Sequence, residues 1–368
     1  MEHQDNCGSL PEVPTYKTSV RIQGRMSAFH ERILFPFSAI VGQDKMKTAL
    51  ILNAINPTIG GVLIRGERGT AKSTAVRSLA TLLPEQDVVK GCQFGCDPNE
   101  PDSMCHECRE RYESGQIEKV TSKMRVVELP VSSTEDKVVG TLDISEAIKS
   151  GDKKFDPGVL AEANRNILYV DEVNLLNDHI VDVLLDAAAM GLNTVEREGI
   201  SFSHPANFIL IGTMNPEEGD LRPQLLDRFG LCVSIEGIDD PDVRLEIIKR
   251  KMEFDKDPIA FRKKFEPSDD EIRKRIIEAK KILPEVTISD DILRKIVNIC
   301  IDSGVDGHRG DIAMMKVSST LAAYRGRKEV TSEDLKDTAD MVLLHRMKKT
   351  PFSDMKLDKG KIDGIISN

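Results

Sequence analysis

The stretch Gly66-Glu-Arg-Gly-Thr-Ala-Lys72-Ser73 restricts this chain more than any other. It follows the apolar run GGVLIR (60–65) and precedes the helical pattern STAVRSLATLL. A strand, a glycine loop and a helix in that order form a Walker A cradle for phosphate. Glycines let the backbone close around the anion, and N–H groups at the helix start point at it. Gly66, Glu67, Arg68, Gly69, Thr70 and Ala71 are then expected to wrap the phosphates, with Thr74 in the first helical turn. Lys72 reaches the β- and γ-phosphates, and the Ser73 hydroxyl binds Mg²⁺. Ala71 stands where glycine is usual. A residue entering the helix tolerates a methyl group, so the loop is expected to keep its shape.

Such a loop belongs to a parallel sheet, and the rest of the text supplies one. The runs GGVLIR (60–65), MRVVEL (124–129), ILYVDE (167–172), NFILIGT (207–213) and LCVSIE (231–236) alternate with helical patterns. Most of them are continuously apolar, as strands covered on both faces are. The fold class read from this is α/β, a parallel sheet sandwiched by helices, followed by an all-α domain. Residues 1–34 read as a leader, 35–255 as the α/β domain, 256–350 as a helical domain and 351–368 as a polar, frayed tail. In the helical part, Ser268-Asp-Asp-Glu271 reads as a capping-box start, and Ile288-Ser-Asp-Asp and Thr331-Ser-Glu-Asp open two later helices.

Two carboxylates end the strand at Asp171-Glu172. Asp171 can hold Mg²⁺ and Glu172 can orient an attacking water, the positioning and charge neutralisation that phosphoryl transfer needs. The next strand ends in Thr213 and Asn215, whose amide can bond a γ-phosphate or the water; alone, Asn215 reads more readily as a turn former before Pro216. Arg222 and Arg228 flank a short helix that starts at Pro223 and closes at Gly230. Arg228 is the favoured finger toward a neighbouring subunit's ATP, against a surface salt bridge as the bland alternative. Arg309 opens a helix, where a cation is disfavoured unless an anion sits nearby, so it is expected to reach ATP from the helical domain.

Cys92-x3-Cys96-x8-Cys105-x2-Cys108 crowds four of the seven cysteines into a turn-rich loop at 90–120. Four thiolates satisfy Zn²⁺; an Fe–S cluster and reduced, redox-sensitive thiols are the alternatives, and His106 can replace a ligand. Cys232 and Cys300 read as core fillers. The odd count, and the lack of a basic-then-apolar N-terminus, favour a cytoplasmic chain over a secreted disulfide framework. A formal net charge of -10 and 4% aromatics argue against a general nucleic-acid binder.

The strings ILYVDEVNLL, NTVEREGISFSHPA, GTMNPEEG and LRPQLLDRFG, with Ile40-Val-Gly-Gln43 upstream, resemble the AAA+ subunit I family of magnesium chelatase over residues 35–345. The resemblance implies an AAA+ P-loop ATPase with a helical lid, forming hexameric rings with ATP between protomers. It implies a second AAA+ subunit with an integrin-like domain and a large tetrapyrrole-binding subunit that inserts Mg²⁺ in chlorophyll biosynthesis. It places Ile40, Val41, Gly42 and Gln43 by the adenine, an insert of the second helix at 131–157 and a hairpin before the Asn215 strand at 192–204. It names Asn215 as sensor 1 and Arg309 as sensor 2. Cobalt or nickel chelatases and nucleic-acid-associated AAA+ machines are the alternatives, and a ring that binds nucleotide without turnover is a third.

Overall fold

The computed structural model describes residues 33–143, 154–197, 200–347 and 359–367. The leader expected at 1–34 lies outside these except for Ile33 and Leu34, as do parts of the expected insert, hairpin and tail.

A 3₁₀ turn at Phe37–Ala39 and helix α1 (Asp44–Ile55) lead to β1 (Val62–Gly66) and α2 (Lys72–Leu82). Strands β2 (Gln86–Val89) and β3 (Lys119–Ser122) pair antiparallel and enclose the cysteine segment, which carries α3 (His106–Glu113). Next come β4 (Val126–Leu129), α4 (Glu135–Val139), the hairpin strands β5 (Gly140–Asp143) and β6 (Lys154–Pro157), α5 (Val159–Ala163) and β7 (Ile167–Val170). The α/β part closes with α6 (Asp178–Met190), the hairpin of β8 (Leu192–Arg197) and β9 (Ile200–Pro205), β10 (Ile209–Met214), α7 (Pro223–Leu226) and β11 (Leu231–Ile235). Six helices follow: α8 (Pro241–Lys256), α9 (Pro258–Ile282), α10 (Asp290–Asp302), α11 (Arg309–Tyr324), α12 (Ser332–Leu343) and α13 (Lys359–Ser367).

The five apolar runs are the five strands of one parallel sheet, in the order β11-β1-β10-β7-β4. Successive side chains of a strand point to opposite faces, and in the inner strands both faces are buried, while Glu128 of β4 and Ser234 of β11 are exposed at the two edges. Val62, Ile64, Ile167, Tyr169, Ile209 and Ile211 join one apolar cluster with α1, α2 and the later helices. Leu63, Leu168, Val170 and Leu210 join another with α6, the hairpins and the cysteine segment. That is why the strands lack alternation.

The helical part differs from expectation in three places. Ser268 does not start a helix: α9 begins at Pro258, capped by Asp257, and runs through Pro267. A proline inside a helix removes one donor; here Ser38 docks at that turn, its N–H donating to Asp269 Oδ1 (2.9 Å) and its hydroxyl to the Phe265 carbonyl (3.4 Å). The tail is not featureless, because α13 buries Ile362 against the main core. The helices beyond 256 do not keep a core of their own: Ile276, Met314 and Leu335 sit in one cluster with Leu50 and Ile64. The caps expected for α10 and α12 are present, with Ser289 accepting from Ile292 N–H and a Thr331/Asp334 capping box.

Among the described residues no helix is long and apolar enough to cross a membrane. Cys232 and Cys300 are buried core residues.

Candidate functional site

Ligands of open parallel sheets bind at the carboxyl ends of the strands. In this chain those ends line a cleft of about 990 Å³. Glu67 to Thr74 come from the loop after β1, Asp171 and Glu172 from the end of β7, and Thr213 and Asn215 from the end of β10. The apolar end is made by Ile40, Val41 and Ile238, with Gln43 Nε2 donating to the Glu236 carbonyl at 3.4 Å. Gly42 lies between Val41 and Gln43 at φ +67°, and an added Cβ would meet Ile238 Cδ1 at 3.2 Å.

The loop is tightly determined. Gly66 passes so close to β11 that a Cβ would sit 2.6 Å from the Ile235 carbonyl oxygen. Gly69 has φ +84°, and Ala71 is the left-handed N-cap of α2 at φ 62°, ψ 19°. The expectation that Ala71 already sits in helical geometry is therefore corrected: the position has the conformation that favours glycine, and alanine holds it. Lys72 Nζ donates to the Gly66 carbonyl and, at 3.0 Å, to that of Glu67. Burial pulls the Lys72 ammonium below its ordinary pKa, while Asp171, Glu172 and Glu218 pull it up.

The acidic pair is held by its neighbours. Asp171 Oδ1 accepts from the Tyr169 hydroxyl (2.8 Å) and from Thr213 Oγ1 (2.5 Å). Its Oδ2 accepts from none of the described residues, and the residue is exposed to the cleft. Burial, and the bond to Asp171, push the Tyr169 phenol well above its ordinary pKa, so it stays a donor. Glu172 has φ 55°, a strained value for a non-glycine residue. Its N–H donates to Thr213 Oγ1 at 3.2 Å. Arg68 Nη2 bonds Glu172 Oε1 at 3.2 Å and also pairs with Glu218. Asn215 Oδ1 accepts from Glu217 N–H at 3.3 Å, which leaves the amide Nδ2 as the donor on the cleft side. An uncommitted carboxylate oxygen beside an ammonium and a ring of loop N–H groups fits a nucleoside triphosphate with its Mg²⁺, Ser73 and Asp171 supplying the oxygens.

The three arginines expected at the site, Arg222, Arg228 and Arg309, do not line this cleft. Arg228 is pinned to α6 by Asp182 (2.6 Å) and Asp186 (2.9 Å), and Arg222 by Asp178 (2.5 Å). Arg309 was expected to reach ATP from the helical domain. It lies instead at Asp227 Oδ2, 2.9 Å away, on the arginine corner. The later helices pack in the cluster of α1 and α2, and α11 begins beside the loop after α7. Arg346, unmarked in the sequence, donates to the carbonyls of Asp227 (3.1 Å), Phe229 (2.6 Å) and Gly230 (3.2 Å). Burial lowers its guanidinium pKa to about 10, with Asp227 acting the other way. Sequence reasoning also missed Arg68 as the partner of Glu172, and Arg244, Arg250 and Lys251 of α8 on the cleft wall. A helix so rich in charge reads as solvated face, so nothing in its pattern marked those residues.

Cys92, Cys96, Cys105 and Cys108 come together on the other side of the sheet, with their Sγ atoms within 4.8 Å of one another. A second cleft, of about 660 Å³, lies between this segment and β5–β6 and holds none of the Walker residues.

Comparison with known proteins agrees with this geometry. A family model described as "AAA domain (dynein-related subfamily)" matches residues 114–229, and one described as "AAA lid domain" matches 293–365. The protein named magnesium-chelatase subunit ChlI homolog of Methanocaldococcus jannaschii is 57% identical over 334 residues, 91% of each chain. Magnesium-chelatase subunit ChlI of Nostoc sp. is 51% identical, covering 93% of this chain and 91% of its own. The chloroplastic ChlI of Chlamydomonas reinhardtii is 53% identical, covering 88% and 78%. A solved assembly described as the complex between subunits BchI and BchD of magnesium chelatase contains a chain 46% identical, with TM-score 0.52, covering 91% of this chain and 100% of that one. A putative ATPase from Cytophaga hutchinsonii, 18% identical with TM-score 0.59 and coverage of 90% and 91%, shares the fold. A Walker cleft, an acidic strand end and an AAA lid on a chain more than half identical to these three ChlI relatives place this protein in the AAA+ ATPase family of magnesium-chelatase subunit ChlI.

Proposed function

We propose that this chain is the ATP-hydrolysing motor of a magnesium-chelatase-type complex, and that its turnover drives a partner subunit to insert metal into a tetrapyrrole. The observation that carries the ATPase half is the pair Asp171 and Glu172 at the end of β7, facing the Walker loop across one cleft. Loop N–H groups and Lys72 would hold the phosphates, and Ser73 and Asp171 would hold Mg²⁺, whose charge would supply neutralisation at the transferring phosphoryl group. Glu172 orients the water, and Arg68 fixes one of its oxygens. Asn215 offers its amide to the γ-phosphate or the water. Ile40 to Gln43 and Ile238 cover the base.

Arg228 stands away from its own cleft, which suits a finger offered to the next protomer of a ring, and Arg309 shares its corner. A hexamer is the expected ring. The chelatase half rests on the relatives' names: partners would be a second AAA+ subunit with an integrin-like domain and a large tetrapyrrole-binding subunit, in a pathway such as chlorophyll biosynthesis. Thiols that stay unpaired, such as Cys232 and Cys300, suit a reducing cytoplasm.

The test measures nucleotide binding and phosphate release together. Glu172→Gln should bind ATP as the wild type does while turnover falls about 10²–10⁴-fold, the usual contribution of a positioned acid–base group. Wild-type turnover no higher than that of Glu172→Gln would end the ATPase reading. Failure to capture chelatase subunits with an active ATPase would end only the client assignment.

A further inference from the structure

Four cysteines that the nucleotide cleft does not use meet beneath the β2–β3 ribbon. Their Sγ atoms all lie within 4.8 Å of one another, and those of Cys92 and Cys105 are 3.9 Å apart. A tetrahedral ion with metal–sulfur bonds of about 2.3 Å spaces its sulfurs by about 3.8 Å. A disulfide would need about 2.05 Å. An iron–sulfur cluster divides its thiolates among different irons, which spreads the sulfurs beyond the shell of a single ion.

Two backbone N–H groups and a helix start face the sulfurs. Phe94 N–H donates to Cys92 Sγ at 3.3 Å, and Cys105 N–H to Cys96 Sγ at 3.2 Å. Cys105 is the N-cap of α3 and Cys108 lies in its first turn, at the positive end of the helix. Cys96, Cys105 and Cys108 are 1%, 6% and 1% exposed. Cys108 is the one buried residue of α3, so the segment has little apolar filling of its own. Small units of that kind need a staple. His106, the alternative ligand, points to solvent and pairs with Glu110 at 3.6 Å.

We propose that Cys92, Cys96, Cys105 and Cys108 bind one structural Zn²⁺ ion, and that the ion fixes Phe94 as a wedge beneath both hairpins. Four protein ligands close the shell and leave no open position for chemistry. The four thiols release their protons to solvent on binding, and no oxidant takes part. Phe94 sits between the first two ligands and is buried. Its ring stacks on His204 of β9 at 4.9 Å and lies 6.3 Å from Phe155 of β6 and 6.4 Å from Phe202 of β9. Its carbonyl accepts from Asn164 Nδ2 at 2.8 Å. Asn193 Nδ2 donates to His204 Nε2 (2.9 Å), so His204 Nδ1–H donates to the Pro205 carbonyl (3.0 Å) and the ring under Phe94 is neutral. One short turn thereby ties the ion to the hairpin inside the second-helix segment and to the hairpin before β10. This holds whether or not the chain serves a chelatase.

The test uses the full chain, purified reduced with zinc in the buffer. About one zinc per chain is expected by elemental analysis, with the four thiols shielded from a thiol reagent in the native state. Exchange into Co²⁺ should give the visible and near-ultraviolet bands of a tetrathiolate site. Cys96→Ser and Cys108→Ser should lose the metal. Phe94→Ala should keep it, yet show severalfold faster amide exchange over Leu192–Pro205 with the Walker strand unchanged. Substoichiometric zinc, an iron chromophore, or a cobalt spectrum without thiolate charge transfer overturns the metal site, and these readings on the wild type do not depend on any variant folding. Unchanged hairpin exchange in Phe94→Ala overturns the wedge.

Discussion

Ala71 and Glu172 carry the strain of the site in their backbones. Both are left-handed, at φ 62° and 55°, and both face the cleft. An L-residue pays roughly 1–2 kcal/mol in that region, while glycine does not. Ala71→Gly is therefore expected to stabilise the protein by about 1 kcal/mol, after the extra unfolded-state entropy of glycine is subtracted. A shift of the urea midpoint upward, at unchanged slope, is the check. Glu172→Gly would release similar strain but remove the carboxylate, so the two positions separate strain kept for shape from strain kept for chemistry. The residue types at both places were visible in the sequence. Their conformations were not, because φ there is imposed by Thr213, Arg68 and the close pass of Gly66 on β11.

Helix α9 shows how an element is placed by more than its own text. Ser268-Asp-Asp-Glu271 has the letters of a cap, yet Asp257 is the residue that accepts from the N–H groups of Ile259 (3.1 Å) and Ala260 (2.9 Å). Asp257→Ala should cost about 1 kcal/mol, whereas Ser268→Ala should change stability by less than about 0.5 kcal/mol. Chemical denaturation of the two variants side by side decides it. An equal loss in both would mean that the helix restarts after Pro267. Aromatic packing among Phe35, Phe254 and Phe261, with Ser38 bonded across the proline turn, holds the continuous form. The five sheet strands needed no such help, since continuous apolar runs are legible wherever both faces are buried. The short strands β2 and β3 were not legible, because Lys119, Val120 and Thr121 are exposed and carry no burial pattern.

At the scale of the molecule, the proposed function makes the cleft and the arginine corner two halves of one site, which neighbouring chains would complete. Arg346 bonds the carbonyls on either side of Arg228, and Arg309 holds Asp227, so the lid helices set the corner's shape. Arg228→Ala is expected to bind ATP but to lose about 10³-fold or more in turnover, the scale of a missing finger. Mixed with Lys72→Ala, which supplies a finger but holds no nucleotide, it should regain part of the activity. Phosphate release across mixing ratios is the measurement, and flat, inactive mixtures would show that Arg228 acts within its own chain or not at all.

The sequence by itself determined the five strands of the parallel sheet, the Walker loop, the acidic strand end and the family, because these are local: each is a short run whose period or residue types are dictated by burial or by phosphate. Tertiary structure alone decided where Arg309 points, which residue caps α9, and that the sulfurs of four cysteines spaced over a loop come within 4.8 Å of one another. Those outcomes depend on contacts between distant segments, 82 residues apart for Arg309 and Asp227 and 231 for Ser38 and Asp269. No local pattern encodes such distances; packing does.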